Sequence, residues 1–232
     1  MNDHTSKKFD AELEGIRTRV LQMGGMVELQ IVKAMEGLSE GDLLLIDQVI
    51  ENDNRVNHLE IELDEACNQV IAKRQPTAVD LRMISTVQKT ITDLERIGDE
   101  AKKIAKTAKQ LHTTGSSFAP QIRLGHIADA VVDMLRTSLD AYARLDTIAA
   151  AQVVRHDKEV DAEFKGIMRQ LITYMMEDPR TISQSIELMF VAKSVERIGD
   201  HAKNIAEYVV YMVKGRDVRH TSLEEIEREA TR

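Results

Sequence analysis

Apolar residues recur every three or four positions along most of this chain, the spacing that places them on one face of an α-helix. The first such stretch runs from about Lys8 to Leu38. Its apolar positions are Leu13, Ile16, Val20, Met23, Val27, Ile31, Ala34 and Leu38. Five further stretches show the same period, at about 42–74, 77–111, 121–145, 147–176 and 179–214. The pattern predicts an all-α protein with six long helices.

Short polar or proline-containing segments separate these stretches. The clearest linker is Thr113–Ser117, which contains a glycine and is followed by Pro120 at an expected helix start. Asp178 followed by Pro179 predicts another helix start, with a capping carboxylate and a proline at the first helical position.

The order of long helices and loops occurs twice, and this repetition predicts two tandem, structurally similar three-helix bundles. We assign residues 1–114 to the first unit and 115–215 to the second. Residues 216–232 form a polar, acidic C-terminal tail, which we expect to be mobile or a short solvated helix.

The composition limits the classes of function that this chain could have. With 232 residues the chain can bury a sizeable core, and its net charge of -8 disfavours nucleic-acid binding. Cys67 is the single cysteine, so an intramolecular disulfide and a cysteine-based zinc site are excluded. No signal peptide and no transmembrane run are visible, so we expect a cytoplasmic protein.

The strongest signal is an internal repeat. Residues 95–99, with the sequence Glu-Arg-Ile-Gly-Asp, recur as residues 196–200, each in the third helix of its unit. Residues 53–57 resemble residues 157–161, each in a second helix. Two matched motifs in matched order indicate duplication rather than chance.

Within each repeat the acidic residues stand four positions apart, which places two like charges on one helix face. If the second and third helices of a unit pack antiparallel, their acidic pairs could face each other and attract a cation. Oxygen ligands favour Mg²⁺, Mn²⁺ or Ca²⁺ and can accept iron. The candidate metal ligands are Asp53, Glu95, Asp99, Asp157, Asp161, Glu196 and Asp200. Gly98 and Gly199, inside the motifs, suggest a close backbone approach to a neighbour.

Other interpretations stay open. Lys103, Lys193 and Lys203 lie three or four positions from motif carboxylates, so exposed ion pairs on a solvated helix face would give the same pattern. We expect His201, next to Asp200, to be a surface residue.

The sequence resembles the PhoU family of phosphate-transport accessory proteins. The family's acidic signature matches Glu95 with Asp99 and Glu196 with Asp200, and the resemblance extends nearly end to end. Further matching stretches are 18–28, 64–67, 72–78, 169–171 and 173–178. One departure is Asn57, which stands where the second unit has Asp161, so we expect weaker metal binding in the first unit.

The resemblance implies a pair of three-helix bundles, a homodimer, and metal binding in some members. It also implies a negative regulator of the phosphate-starvation response that links the phosphate ABC transporter, through its nucleotide-binding subunit, to a sensor histidine kinase. Association with the membrane would occur only through these partners.

Two other classes compete with this regulatory binding protein. A di-iron carboxylate enzyme would use Glu-x-x-His pairs, but no histidine here has glutamate three positions before it, and no catalytic motif is present. We therefore expect no enzyme activity. A purely structural helical adaptor without metal is the third class, and metal analysis separates it from the first.

Overall fold

The computed structural model describes residues 7–114 and 122–232, and within these ranges the chain is helical with no strand. The helices are α1 (Lys7–Glu40), α2 (Leu43–Arg74), α3 (Ala78–Thr114), α4 (Gly125–Arg144), α5 (Thr147–Glu177), α6 (Ile182–Lys214) and α7 (Leu223–Thr231). The prediction of six long helices in an all-α protein is confirmed. No helix in the described ranges is both long and apolar enough to cross a bilayer.

Helix ends follow from local chemistry that is the same in both units. Asp42 caps α2 by accepting hydrogen bonds from two backbone N–H groups at 2.9 and 3.1 Å, and Asp146 caps α5 in the same way. Asp178 accepts a bond from the backbone of Arg180, with Pro179 opening a 3₁₀ turn (Pro179–Thr181) before α6. The predicted capping at Asp178 is therefore confirmed.

The helices form two three-helix bundles side by side. Helices α1, α2 and α3 pack against one another, as do α4, α5 and α6, while the pairs α3–α6 and α1–α4 join the bundles. We call the bundle α1–α3 unit 1 and the bundle α4–α6 unit 2. The core consists mainly of aliphatic side chains, contributed by every helix, because the chain has few aromatic residues.

The boundary between the units is only partly described. Most of the linker expected at 113–117, Pro120 and the expected helix start near Gln121 lie outside the described residues. The division at 114 and 115 therefore stays a prediction.

The C-terminal tail differs from the expectation of a mobile or solvated segment. Helix α7 packs on α5, where Ile226 and Ala230 are buried. The Thr147 hydroxyl donates a 2.7 Å hydrogen bond to the backbone oxygen of Ala230. Ser222 and Glu225 form a capping box at the start of α7. Apolar residues spaced three and four apart give this acidic segment a face that it buries.

Candidate functional site

In unit 1, helices α2 and α3 bring three of the predicted ligands together. Burial raises the pKa of Glu95, and the negative charges of Asp99, Glu60 and Asp53 raise it further. Asp53 is fully buried on α2. Charges on α2 and α3 therefore act on Glu95 together, and Glu60 of α2 is a further carboxylate among them.

In unit 2, helices α5 and α6 repeat the arrangement. Burial raises the pKa of Asp200, and the negative charges of Glu196 and Asp157 raise it further. The positive charges of Lys203 and Lys193 oppose this shift. Asp157 is buried, like its counterpart Asp53 in unit 1. Asp161 is half-buried and makes no hydrogen bond or ion pair to any described residue.

A lysine neutralises the buried aspartate of each cluster. Lys102 Nζ lies 2.7 Å from Asp53 Oδ2, and Lys203 Nζ lies 2.6 Å from Asp157 Oδ2. The hydrogen bond to Asp53 raises the pKa of Lys102. The sequence does not indicate these two ion pairs, because in each pair the aspartate and the lysine lie on different helices. Each site is therefore a carboxylate–lysine cluster.

The motif glycines occupy points of close helix packing, as predicted. A Cβ on Gly98 would stand 3.2 Å from Gln30 Oε1 and 3.5 Å from Asp53 Oδ1. A Cβ on Gly199 would stand 3.3 Å from a methyl group of Val131. The two glycines let α3 and α6 approach their neighbours at the level of the clusters.

The donor chemistry of the clusters suits a hard cation, since every candidate ligand is an oxygen. In the described ranges, however, no group of three potential metal-ligating side chains converges in a way that could hold an ion. The lysines supply the positive charge at the two buried aspartates. Metal binding by the seven predicted residues therefore stays a prediction.

Unit 2 contains a further buried carboxylate that the sequence did not single out. Glu207 lies one turn beyond Lys203 on α6 and is 7% exposed. Burial raises its pKa to about 7, although the charge of Lys203 opposes the shift. Its counterpart in unit 1, at the repeat offset of the third helices, is the exposed Lys106. Because Glu207 is not repeated, no sequence signal marked it.

His201 is not the surface residue that the sequence suggested. It is buried between α3 and α6, where its Nδ1 lies 2.6 Å from Asp93 Oδ1. Asn204 donates a 3.2 Å hydrogen bond to the same oxygen, and burial, followed by the negative charge of Asp93, raises the pKa of Tyr208. The physical reason is that Asp93 offers His201 a buried partner from the other unit. We call these four residues the inter-unit network.

Comparison with known proteins gives a consistent result over nearly the whole chain. The family model described as the PhoU domain matches residues 20–108 and 124–209. The phosphate-specific transport system accessory protein PhoU homolog of Pseudomonas putida is 48% identical over 223 residues, covering 96% of this chain and 87% of that protein. The phosphate-specific transport system accessory protein PhoU of Escherichia coli is 48% identical over 229 residues, covering 98% and 94%.

Solved structures share the architecture. The crystal structure of PhoU from Pseudomonas aeruginosa has a TM-score of 0.86 and 47% sequence identity, and the match covers 90% of this chain and all of that one. The phosphate transport system regulatory protein PhoU from Streptococcus pneumoniae has a TM-score of 0.83 at 25% identity, covering 90% and 99%.

Proposed function

The chain belongs to the PhoU family, and we propose that it is a regulatory accessory protein of phosphate uptake. In this role it restrains the phosphate-starvation response when phosphate is plentiful. The observation that carries the proposal is the 48% identity, over 98% of this chain, to a phosphate-specific transport system accessory protein. The fold supports a protein that acts by contact, since its long helices offer extended rigid faces to partners.

We further propose that its partners are the nucleotide-binding subunit of the phosphate ABC transporter and a sensor histidine kinase. Both would be reached from the cytoplasm. Affinity capture of the tagged chain from phosphate-replete and phosphate-starved cells tests this proposal. We expect the nucleotide-binding subunit to co-purify, in an amount that depends on phosphate. Recovery of neither partner under either condition would contradict it.

A homodimer is the assembly that the family resemblance favours, and we propose it for this chain. Sedimentation equilibrium measures it directly. A mass near twice 26.2 kDa supports the dimer, and a mass of one chain at all concentrations contradicts it.

Metal binding at the carboxylate–lysine clusters is a separate proposal. A bound hard cation would supply positive charge to carboxylates whose burial, together with their mutual repulsion, raises the pKa values of Glu95 and Asp200. In unit 2 the residues that would hold it are Asp157, Glu196 and Asp200, with Asp161 as a fourth carboxylate. In unit 1 the set is Asp53, Glu95 and Asp99, with neutral Asn57 in the fourth place, so we expect weaker binding there.

The lysines provide a sharp test, because an ammonium group and a metal ion compete for the same aspartate oxygen. Lys203→Met should raise Mn²⁺ affinity by about tenfold, which corresponds to about 1.4 kcal/mol of binding free energy, because the lysine no longer competes for Asp157. Isothermal titration of the parent, Lys203→Met and the pair Glu196→Gln/Asp200→Asn measures it, with the exposed Lys106→Met as control. Absence of Mn²⁺ binding in every variant would mean that the clusters are structural.

The same titration compares the units. Glu95→Gln/Asp99→Asn should remove the weaker class of sites, and Glu196→Gln/Asp200→Asn the tighter class. Tighter binding in unit 1 would show that charge count does not set affinity.

A further inference from the structure

A glutamine lies in the interior of unit 1 without a hydrogen-bond partner among the described residues. Gln30, on the core-facing side of α1, is only 4% exposed. Neither its Nε2 nor its Oε1 makes a hydrogen bond to any described residue. A buried amide without partners costs about 1–3 kcal/mol, so native structures rarely leave one unsatisfied.

Asp53 presents a second unsatisfied atom to the same space. Its Oδ2 accepts bonds from Lys102 at 2.7 Å and from Asn57 at 3.3 Å. Its Oδ1 is buried and has no partner in the described part of the chain. Gln30 Oε1 and Asp53 Oδ1 lie 3.2 and 3.5 Å from one point, the position of a Cβ on Gly98. The missing side chain of Gly98 therefore leaves two polar atoms facing one small space.

Unit 2 is apolar at the equivalent place. The offset of 104 residues that relates Asp53 to Asp157 relates Gln30 to Met134. The Cβ position of Gly199 is surrounded by methyl groups of Val131, Val160 and Met134, at 3.3–3.8 Å. The polar space is thus a property of unit 1 and not of the repeated fold.

A cavity beside Gln30 is large enough to hold water. A cavity of about 120 Å³ opens between α1 and α2 and is lined by Gln30 and Val56, and Val56 also adjoins Gly98. A cavity needs only about 10–15 Å³ of such volume to hold one water molecule. The remaining lining is divided equally between apolar residues (Met26, Leu29 and Val49) and polar ones (Lys33, Asn52 and Arg55).

We propose that unit 1 binds an internal water molecule between Gln30 and Asp53, beside Gly98. The water donates one hydrogen bond to Asp53 Oδ1 and one to Gln30 Oε1 or the buried Asn57 Oδ1, and accepts one from Gln30 Nε2. Water is the ligand that fits, because the site contains both an amide donor and acceptor oxygens. A bare cation leaves Gln30 Nε2 unsatisfied, and an anion is repelled by Asp53. The water connects α1 to α2 beside the unit 1 cluster.

A crystal structure of the parent protein, at a resolution that shows ordered water, decides the proposal. The expected result is a density peak about 2.6–3.2 Å from Asp53 Oδ1 and from the Gln30 amide. A Gln30 side chain turned onto a protein partner, with no peak beside Gly98, would overturn the proposal. So would an ion with oxygen contacts of about 2.0–2.4 Å, which Mn²⁺ soaking reveals by anomalous scattering.

A second measurement counts long-lived internal waters in solution by ¹⁷O magnetic relaxation dispersion. Gln30→Met, which installs the unit 2 residue, should lose one such water and lower the unfolding temperature, because Asp53 Oδ1 then has no donor. Met134→Leu, the matched change in unit 2, should leave the count unchanged. An equal count in the parent and Gln30→Met would contradict the proposal.

Discussion

Individual residues in this protein show how burial affects the pairing and the protonation of acidic side chains. Asp53 and Asp157 are deeply buried and each is held by a lysine from the next helix. Glu207 is almost as buried, but no ion pair or hydrogen bond joins it to the described residues. Because a buried charge without a direct partner favours its neutral form, Glu207 should titrate near neutral pH.

The prediction from Glu207 is a pH-dependent stability. Its pKa is raised from 4.5 to about 7 in the folded chain, so the folded state holds the proton more tightly than the unfolded state. Stability should therefore fall as the pH rises from about 4.5 to about 7, and then level off. Glu207→Gln should add on the order of 2 kcal/mol at about pH 8 and little at about pH 5.

Chemical denaturation at both pH values measures this difference, with Glu51→Gln, a change at an exposed glutamate of α2, as the control. An equal effect of Glu207→Gln at the two pH values would show that its carboxylate does not change its protonation between them.

Two glycines of α1 give a second test at the residue scale. A Cβ on Gly25 would meet nothing within 4 Å, whereas a Cβ on Gly37 would meet Ile46 Cγ1 at 2.6 Å. Gly25→Ala should therefore stabilise the protein by about 1 kcal/mol through helix propensity. Gly37→Ala should destabilise it by about 1–2 kcal/mol, because Ile46 is fully buried and must move. Urea unfolding measures both, and changes of the same sign would contradict the packing described for α1.

At the scale of helices, the contact between α3 and α6 determines how the two units are joined. The inter-unit network lies in this contact, and Glu100 of α3 forms a second polar link with Arg197 of α6 at 2.8 Å. Glu100 is 2% exposed. Buried polar links of this kind are costly when one partner is removed, so they favour one relative placement of the units.

Asp93→Ala should therefore destabilise the protein by about 3–5 kcal/mol, since it leaves the buried His201 and its neighbour Asn204 without their acceptor. Thermal unfolding followed by circular dichroism measures the loss. The control is Asp140→Ala, which removes the exposed ion pair between Asp140 and Arg144, 3.8 Å apart. This change should alter the free energy of unfolding by less than about 0.5 kcal/mol. Similar small effects of both changes would show that the network does not hold the units together.

At the scale of the whole molecule, the sequence predicts the architecture well because its information is local and repeated. Helical periodicity, capping residues such as Asp178, and the duplicated acidic motif can all be read directly from the sequence. The partners of Lys102 and His201 cannot be read from it, because they depend on which helices pack side by side. Asp93, for example, is 108 residues from His201. The packing of α7 on α5 has a sequence signal, because Leu223, Ile226 and Ala230 follow helical spacing. The acidic composition of the same segment, however, favours a solvated tail.

The role of the molecule in the cell is tested most directly by a clean deletion of its gene. The measurement is the activity of a phosphate-starvation promoter in cells grown in abundant phosphate, in a strain with no second copy of the gene. We expect the promoter to be active in the deletion strain and silent again when the parent chain is restored. Normal repression in the deletion strain would contradict the proposal that this protein restrains the phosphate-starvation response.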